Sequence, residues 1–397
     1  MQKSVKLTSM KQFDAPSIEG LQQRNNMKWA KYPQDILPMW VADMDFPTAD
    51  VITQALADEA RANNLVYQTP AGIPGLQESV IAWQKERYHW HFEAEDMWLV
   101  HGIVPCMFLA HNACTSPNES VIMQTPIYPP FMMSVKGTGR DIIANPLVWN
   151  GERYEIDFDA FEAQITPATR LFMLCNPQNP TGRVFEREEL ERLAEIVLKH
   201  RLWVLSDELH SDLVFDGKPH IPFASLSDEV AQRTITLFGP SKTFNLAGLK
   251  IGVLVTQNKA LMQRLKDVGF GVFMAPNTFA QRATLAAYQQ GGTWLSEALT
   301  YLDANRQLIA EFMGENFPMV PYDSPEGTYL SWFDLRPLQL GDRLENVLLE
   351  EAKLGLNMGD AYGEGGQGFA RLNFATSRQV LIEGLERLKQ GLAPYID

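Results

Sequence analysis

RLFMLCNPQNPTG (Arg170–Gly182) and RLWVLSDE (Arg201–Glu208) are separated by a stretch ending in ELERLAEIVLKH (Glu189–His200), and these three pieces decide the fold. Each flanking run is a short apolar block that stops at polar or turn-forming residues, Asn176-Pro177 in the first and Asp207-Glu208 in the second. The stretch between them puts Leu190, Leu193, Ala194, Val197 and Leu198 on one helical face. Strand, amphipathic helix, strand predicts a parallel pair with a crossover helix. Strands this uniformly apolar predict a sheet covered on both faces. ESVIMQTP (119–126), RTITLFGP (233–240) and LKIGVLVT (249–256) repeat the theme, so an α/β region runs from about Thr48 to Gln290.

In such a sheet a ligand sits beyond the carboxyl ends of the strands. Polar residues collect there: Asn176 and Asn179, Asp207 and Glu208, Ser241 and Lys242. After about Gly291 the texture changes to a long helical stretch (296–317), shorter strands in GTYLSWFDL (327–335) and GFARLNFAT (368–376), and a closing helix (377–392). This predicts a second, smaller α+β domain.

The 397 residues are 45% hydrophobic, enough for a sizeable core, and carry a net charge of −14. That charge argues against nonspecific binding to nucleic acid or anionic membrane. Cys106, Cys114 and Cys175 are odd in number and fit no zinc spacing, so reduced thiols in a cytoplasmic protein are expected. No apolar run approaches the ~18–20 residues that span a bilayer. No histidine spacing implies a metal, and no dinucleotide or serine-hydrolase motif is present.

Lys242 lies in LFGPSKTFNLAGLKIG (237–252). It is a solvated loop lysine or, given the apolar residues after it, a desolvated amine able to form a Schiff base; the phosphate-loop pattern fails for want of its second glycine. Asp207 is either a helix cap or a buried carboxylate for a cationic ring nitrogen. Asn179, in a turn with two Asn-Pro steps, could donate to a phenolate-like oxygen. Gly102 opens a helix whose free N–H groups would suit a phosphate. Tyr128 is a packing residue or a stacking one. Arg371, inside an apolar strand, needs either an internal carboxylate or a substrate's.

Together NPTG (179–182), SDE (206–208) and SKTFNLAGLKIG (241–252) resemble the class I and II pyridoxal-phosphate enzymes of the aspartate aminotransferase fold (fold type I) over nearly the whole chain. Within that group LPMWVADMDFPTAD (37–50), PIYPPF (126–131) and SDELHSDLVF (206–215) resemble the cystathionine β-lyase branch of MalY/PatB type. The resemblance implies a large cofactor domain, residues 48–290, with a mostly parallel seven-stranded sheet. It implies a small domain from residues 1–47 and 291–397.

It further implies that Lys242 carries pyridoxal 5'-phosphate, Asp207 pairs with the ring nitrogen, Asn179 contacts the phenolic oxygen and Tyr128 stacks on the ring. The phosphate would be held by N–H groups of Ile103 and Val104, the Ser241 hydroxyl and Lys250, which replaces a customary arginine. Tyr67 would reach the phosphate of the neighbouring subunit in a homodimer. Arg371 would grip the substrate carboxylate, with Ala42 backbone nearby. His210 stands where many members have tyrosine. The activity implied is α,β-elimination of cystathionine or a cysteine-like sulfur amino acid to a thiol, pyruvate and ammonia. An aminotransferase would use the same residues, and a non-catalytic binding protein could use the same fold.

Overall fold

A computed structural model describes residues 11–396. Seven strands form the main sheet: β1 Met97–Val100, β2 Ser120–Thr125, β3 Asp141–Pro146, β4 Thr169–Cys175, β5 Trp203–Asp207, β6 Thr234–Phe238 and β7 Gly252–Val255, in the order β1-β7-β6-β5-β4-β2-β3. The pairs from β6 through β3 are parallel, whereas β7 runs antiparallel to both β6 and β1. The sheet is therefore mostly parallel, as expected, with one reversed member.

The apolar runs have a simple cause. Alternate residues of one strand serve opposite faces. Leu171, Met173 and Cys175 of β4 pack with Cys106, Met107 and Ala110 of α1 (Ile103–Cys114). Phe172 and Leu174 pack on the other face with Leu190, Leu193 and Val197 of α3 (Arg187–His200). The α3 face includes Ile196, which the sequence pattern missed, while Leu198 is only half-buried. A reciprocal capping box between Glu186 and Glu189 starts this helix. All three cysteines are free and buried.

Four further helices are α2 (Pro129–Gly137), α4 (Pro240–Thr243), α5 (Gly292–Asn316) and α6 (Arg378–Leu392). Beyond α5, strands β8 (Leu330–Asp334), β9 (Asn357–Met358) and β10 (Phe369–Asn373) make an antiparallel sheet with β10 central. Leu37–Pro38 pairs in parallel with Leu354–Gly355, which ties the N-terminal segment to this later part of the chain. Gly182 shows how tightly the two parts meet. Its φ is +77°, and a Cβ there would lie 2.3 Å from Pro325 Cβ, so the NPTG turn has no room for a side chain.

Candidate active site

The parallel strands end on one rim, and there lies a cavity of about 490 Å³. Each strand delivers its polar residues at or just past its carboxyl end. After β1, Gly102 at φ +106° turns the chain into α1. The first helical N–H groups, at Ile103 and Val104, have no intrahelical acceptor, and the third position is Pro105, which has no N–H. Two donors at the positive end of a twelve-residue helix form a seat for an anion. Ser241 of α4 lines the same cavity.

Lys250 reaches this rim by a different route. Because β7 is reversed, its first residue, Gly252, pairs with Val100, the last of β1. Lys250, just before β7, therefore falls beside the carboxyl ends of the other strands and lines the cavity.

Asp207 ends β5 and is buried. Its carboxylate accepts the Leu209 N–H at 3.1 Å, and it has no ion pair among the described residues. No helix begins here, so the cap reading fails. Burial is the main cause that pushes its pKa up to about 7, with Glu208 adding to it, against the Leu209 hydrogen bond and Lys242. A carboxylate so placed calls for a cationic partner.

His210, also buried, is held at a pKa of about 3 by burial and by the charges of Lys242 and Arg371, so it is a neutral imidazole. Its ring meets Tyr329 edge-on at 5.9 Å. Tyr128, immediately before α2, lines the cavity half-buried; its hydroxyl pKa is raised, chiefly by burial.

Lys242 is neither on the surface nor sealed, with 18% of its side chain exposed. Nζ donates to the Ala42 carbonyl at 2.6 Å and stands 3.9 Å from Asp43 Oδ1. Burial lowers its pKa, Asp43 opposes that, and Arg371 adds to the lowering.

Arg371, on β10, enters from the later part of the chain. It donates to Asn179 Oδ1 at 2.8 Å and to the Trp40 carbonyl at 2.9 Å, and its Nε is buried with no partner. Among the described residues no carboxylate pairs with it, so the internal salt bridge is absent and the guanidinium is free to take a carboxylate from outside. Ala42 lines the cavity, but its carbonyl is occupied by Lys242 and by Tyr329 at 2.8 Å; Arg371 meets Trp40 instead.

Tyr67 lies elsewhere. It is 99% exposed and lines a neighbouring groove of about 1050 Å³, which shares only His101 and Lys250 with the cavity. The sequence reading missed Trp40, Asn357 and Tyr329. Backbone carbonyls such as those of Trp40 and Ala42 have no signature in a sequence. Asn357, which donates to Trp40 O at 2.9 Å, sits in a two-residue strand too short for any periodicity.

The chain belongs to the class I and II aminotransferase family, whose model matches residues 34–388. Among curated proteins it is 38% identical to cystathionine beta-lyase PatB of Bacillus subtilis (strain 168), an alignment covering 93% of this chain and 97% of that one. Among solved structures it resembles cystalysin from Treponema denticola, which contains a pyridoxal 5'-phosphate cofactor (TM-score 0.90, 31% identity, 94% and 97% coverage). It also resembles the PLP-bound C-S lyase from Staphylococcus hominis (TM-score 0.89, 31% identity, 97% and 100% coverage).

The cavity fits that cofactor on its own terms. A buried carboxylate with no ion pair among the described residues, a half-buried amine and a helix N-terminus with two free donors line one volume. These match a pyridine nitrogen, an aldehyde and a phosphate.

Proposed function

We infer that the protein is a pyridoxal-5'-phosphate-dependent C–S β-lyase that cleaves a cystathionine-like or cysteine-like sulfur amino acid to a thiol, pyruvate and ammonia. The cofactor reading rests on Asp207, the buried carboxylate with a pKa near 7 and no ion pair among the described residues. The lyase direction rests on the likeness to PatB over nearly the full length of both chains.

Lys242 would hold the cofactor through its aldehyde, and Asp207 would pair with the ring nitrogen. Asn179 would contact the phenolic oxygen and Tyr128 the ring face. Ile103 and Val104 N–H groups, the Ser241 hydroxyl and Lys250 would receive the phosphate. When bound, the cofactor supplies an electron sink for negative charge at the substrate Cα. The protein does the rest. Arg371 takes the substrate α-carboxylate, with Asn179 and the Trp40 carbonyl fixing the fork. Lys242 lines the same cavity as Arg371 and would be the base for the Cα–H. The ε-amine, whose pKa burial lowers, removes the proton. Asp207, ionised against a ring cation, keeps the sink electron-poor. His210 stays neutral and adds no competing charge.

The working form is a homodimer with the site shared between subunits. Leu65, Val66, Tyr67 and Met274 are exposed around the groove that continues into the cavity through His101 and Lys250, so a second copy would bury them and place its Tyr67 near the phosphate seat. The large domain is residues 48–290 and the small one residues 1–47 with 291–397; the pairing of Leu37–Pro38 with Leu354–Gly355 supports this, and residues 1–10 and 397 lie outside those described. No described helix is long and apolar enough to cross a membrane. We place the protein in the cytoplasm, where its three free thiols stay reduced.

The test is pyruvate release from cystathionine by the holoenzyme without an added keto acid. Release supports the lyase. Turnover only with a second keto acid would make the protein an aminotransferase instead.

A further inference from the structure

Arg371 stands in the middle of β10, and the register of the small sheet decides what lies beside it. Asn357 of β9 is its direct partner on one side and Trp332 of β8 on the other. Residues directly opposite each other across a ladder share one face of the sheet, with Cβ atoms about 4.5–5.5 Å apart. Asn357 and Arg371 both line the cavity. Strand pairing therefore brings a neutral amide next to the guanidinium.

The nitrogen of that amide has two tasks. Asn357 Nδ2 donates to the Trp40 carbonyl at 2.9 Å and to the Tyr362 hydroxyl at 3.3 Å. Besides Asn179, these are the two residues that steady Arg371. Trp40 O accepts from the guanidinium at 2.9 Å, and the Tyr362 ring centroid is 5.3 Å from its central carbon. Tyr362 is buried, and Trp332 meets its ring edge-on at 5.3 Å. One side chain thus ties the hydrogen-bond anchor of the fork to its aromatic platform. Without it the Trp40 carbonyl keeps one donor of its two and the buried Tyr362 hydroxyl loses the Asn357 N–H, so neither holds the fork as firmly.

The absence of charge matters as much as the reach. A carboxylate at position 357, opposite Arg371 on the same face, would give the guanidinium the internal partner that no described residue supplies. It would also lose both N–H donors and set a negative charge against the Trp40 carbonyl oxygen. An amide positions the cation and leaves its charge for a ligand.

We propose that Asn357 is a positioning residue for substrate binding: it fixes the Arg371 fork through Trp40 and Tyr362 and, being uncharged, keeps that fork open to the substrate α-carboxylate. This rests on the reading of Arg371 as the carboxylate receptor of the lyase. No proton or electron pair passes through Asn357, so its effect falls on KM and leaves kcat nearly untouched.

The experiment compares wild type, Asn357→Ala and Asn357→Asp as holoenzymes. Calorimetry gives the Kd of 3-(methylthio)propionate, which has a carboxylate and a thioether but no amine to react with the cofactor. Pyruvate release from cystathionine gives KM and kcat, and thermal melts report folding. Asn357→Ala is expected to weaken Kd and KM by about five- to tenfold, with kcat within about threefold of wild type. Asn357→Asp is expected to weaken both by about thirtyfold or more, because its charge occupies the fork. A role in packing alone predicts the reverse order, since aspartate fills the volume of asparagine and alanine does not. Kd and KM within a factor of two of wild type in both variants, or a milder effect of aspartate than of alanine, would overturn the proposal. Failure of wild type to release pyruvate would overturn the lyase reading instead, and the Kd series would still decide the role of Asn357.

Discussion

Arg371 and Asn179, 192 residues apart in the chain, are joined by a 2.8 Å hydrogen bond from guanidinium to side-chain oxygen. The bond couples two tasks. It holds the fork that would receive the substrate carboxylate, and it commits the oxygen of Asn179, leaving that amide's N–H groups to donate elsewhere. Substrate grip and cofactor contact would thus be set by one pair.

Replacing Arg371 with lysine should raise KM by about one to two orders of magnitude, because a point charge cannot reproduce a two-pronged contact and one charged hydrogen bond is worth roughly 1.5–3 kcal/mol. Steady-state kinetics checks this. A KM within a factor of two of wild type would remove Arg371 from substrate binding.

Lys242→Ala should lower pyruvate release by about 10³-fold or more, through loss of both the base and the covalent anchor. Borohydride reduction of the wild-type holoenzyme should mark the peptide containing Lys242 and no other lysine. Peptide mapping decides it.

Asp207 gives a pH signature. Its folded-state pKa of about 7 lies above the ordinary aspartate value of 3.8, so between those values the folded chain keeps a proton that the unfolded chain has lost. The cofactor-free protein should therefore lose stability from this group as pH rises through that window, by up to ~4 kcal/mol. A ring cation reverses the effect. The rise in melting temperature on adding pyridoxal phosphate should be larger at pH 8 than at pH 5, and Asp207→Asn should flatten the difference. An equal rise at both pH values in wild type would refute it.

The shared site predicts complementation. Tyr67→Ala and Lys242→Ala should each be impaired alone, yet a refolded mixture of the two should regain lyase activity, because each hybrid dimer has one intact site of its two. No gain in a mixture shown to contain hybrids would place Tyr67 outside the site.

Arg183 tests the architecture apart from the chemistry. It is fully buried and bridges Glu189 at 2.7 Å to Glu326 at 2.9 Å. Arg183→Ala leaves Glu189 without its cation and Glu326 with only Lys218, 2.6 Å away, and should cost about 3 kcal/mol in chemical denaturation. A loss under 1 kcal/mol would mean that the bridge does not hold these parts together.

The sequence by itself determined the sheet, the alternation of strands with helices and the gathering of Asn179, Asp207 and Lys242 near strand ends, while the roles of these residues and of Arg371 came from the family resemblance. These are local matters: a strand covered on two faces must be apolar throughout, and the polar residue that ends it is visible in the next letters. It did not determine that β7 runs backwards, although that reversal is what carries Lys250 to the rim. Nor did it show that carbonyls of Trp40 and Ala42 would receive Arg371 and Lys242, or that Arg371 would lack an internal carboxylate. Those outcomes belong to the tertiary structure, because strand direction and backbone acceptors depend on contacts between residues hundreds of positions apart, and no side-chain identity encodes them.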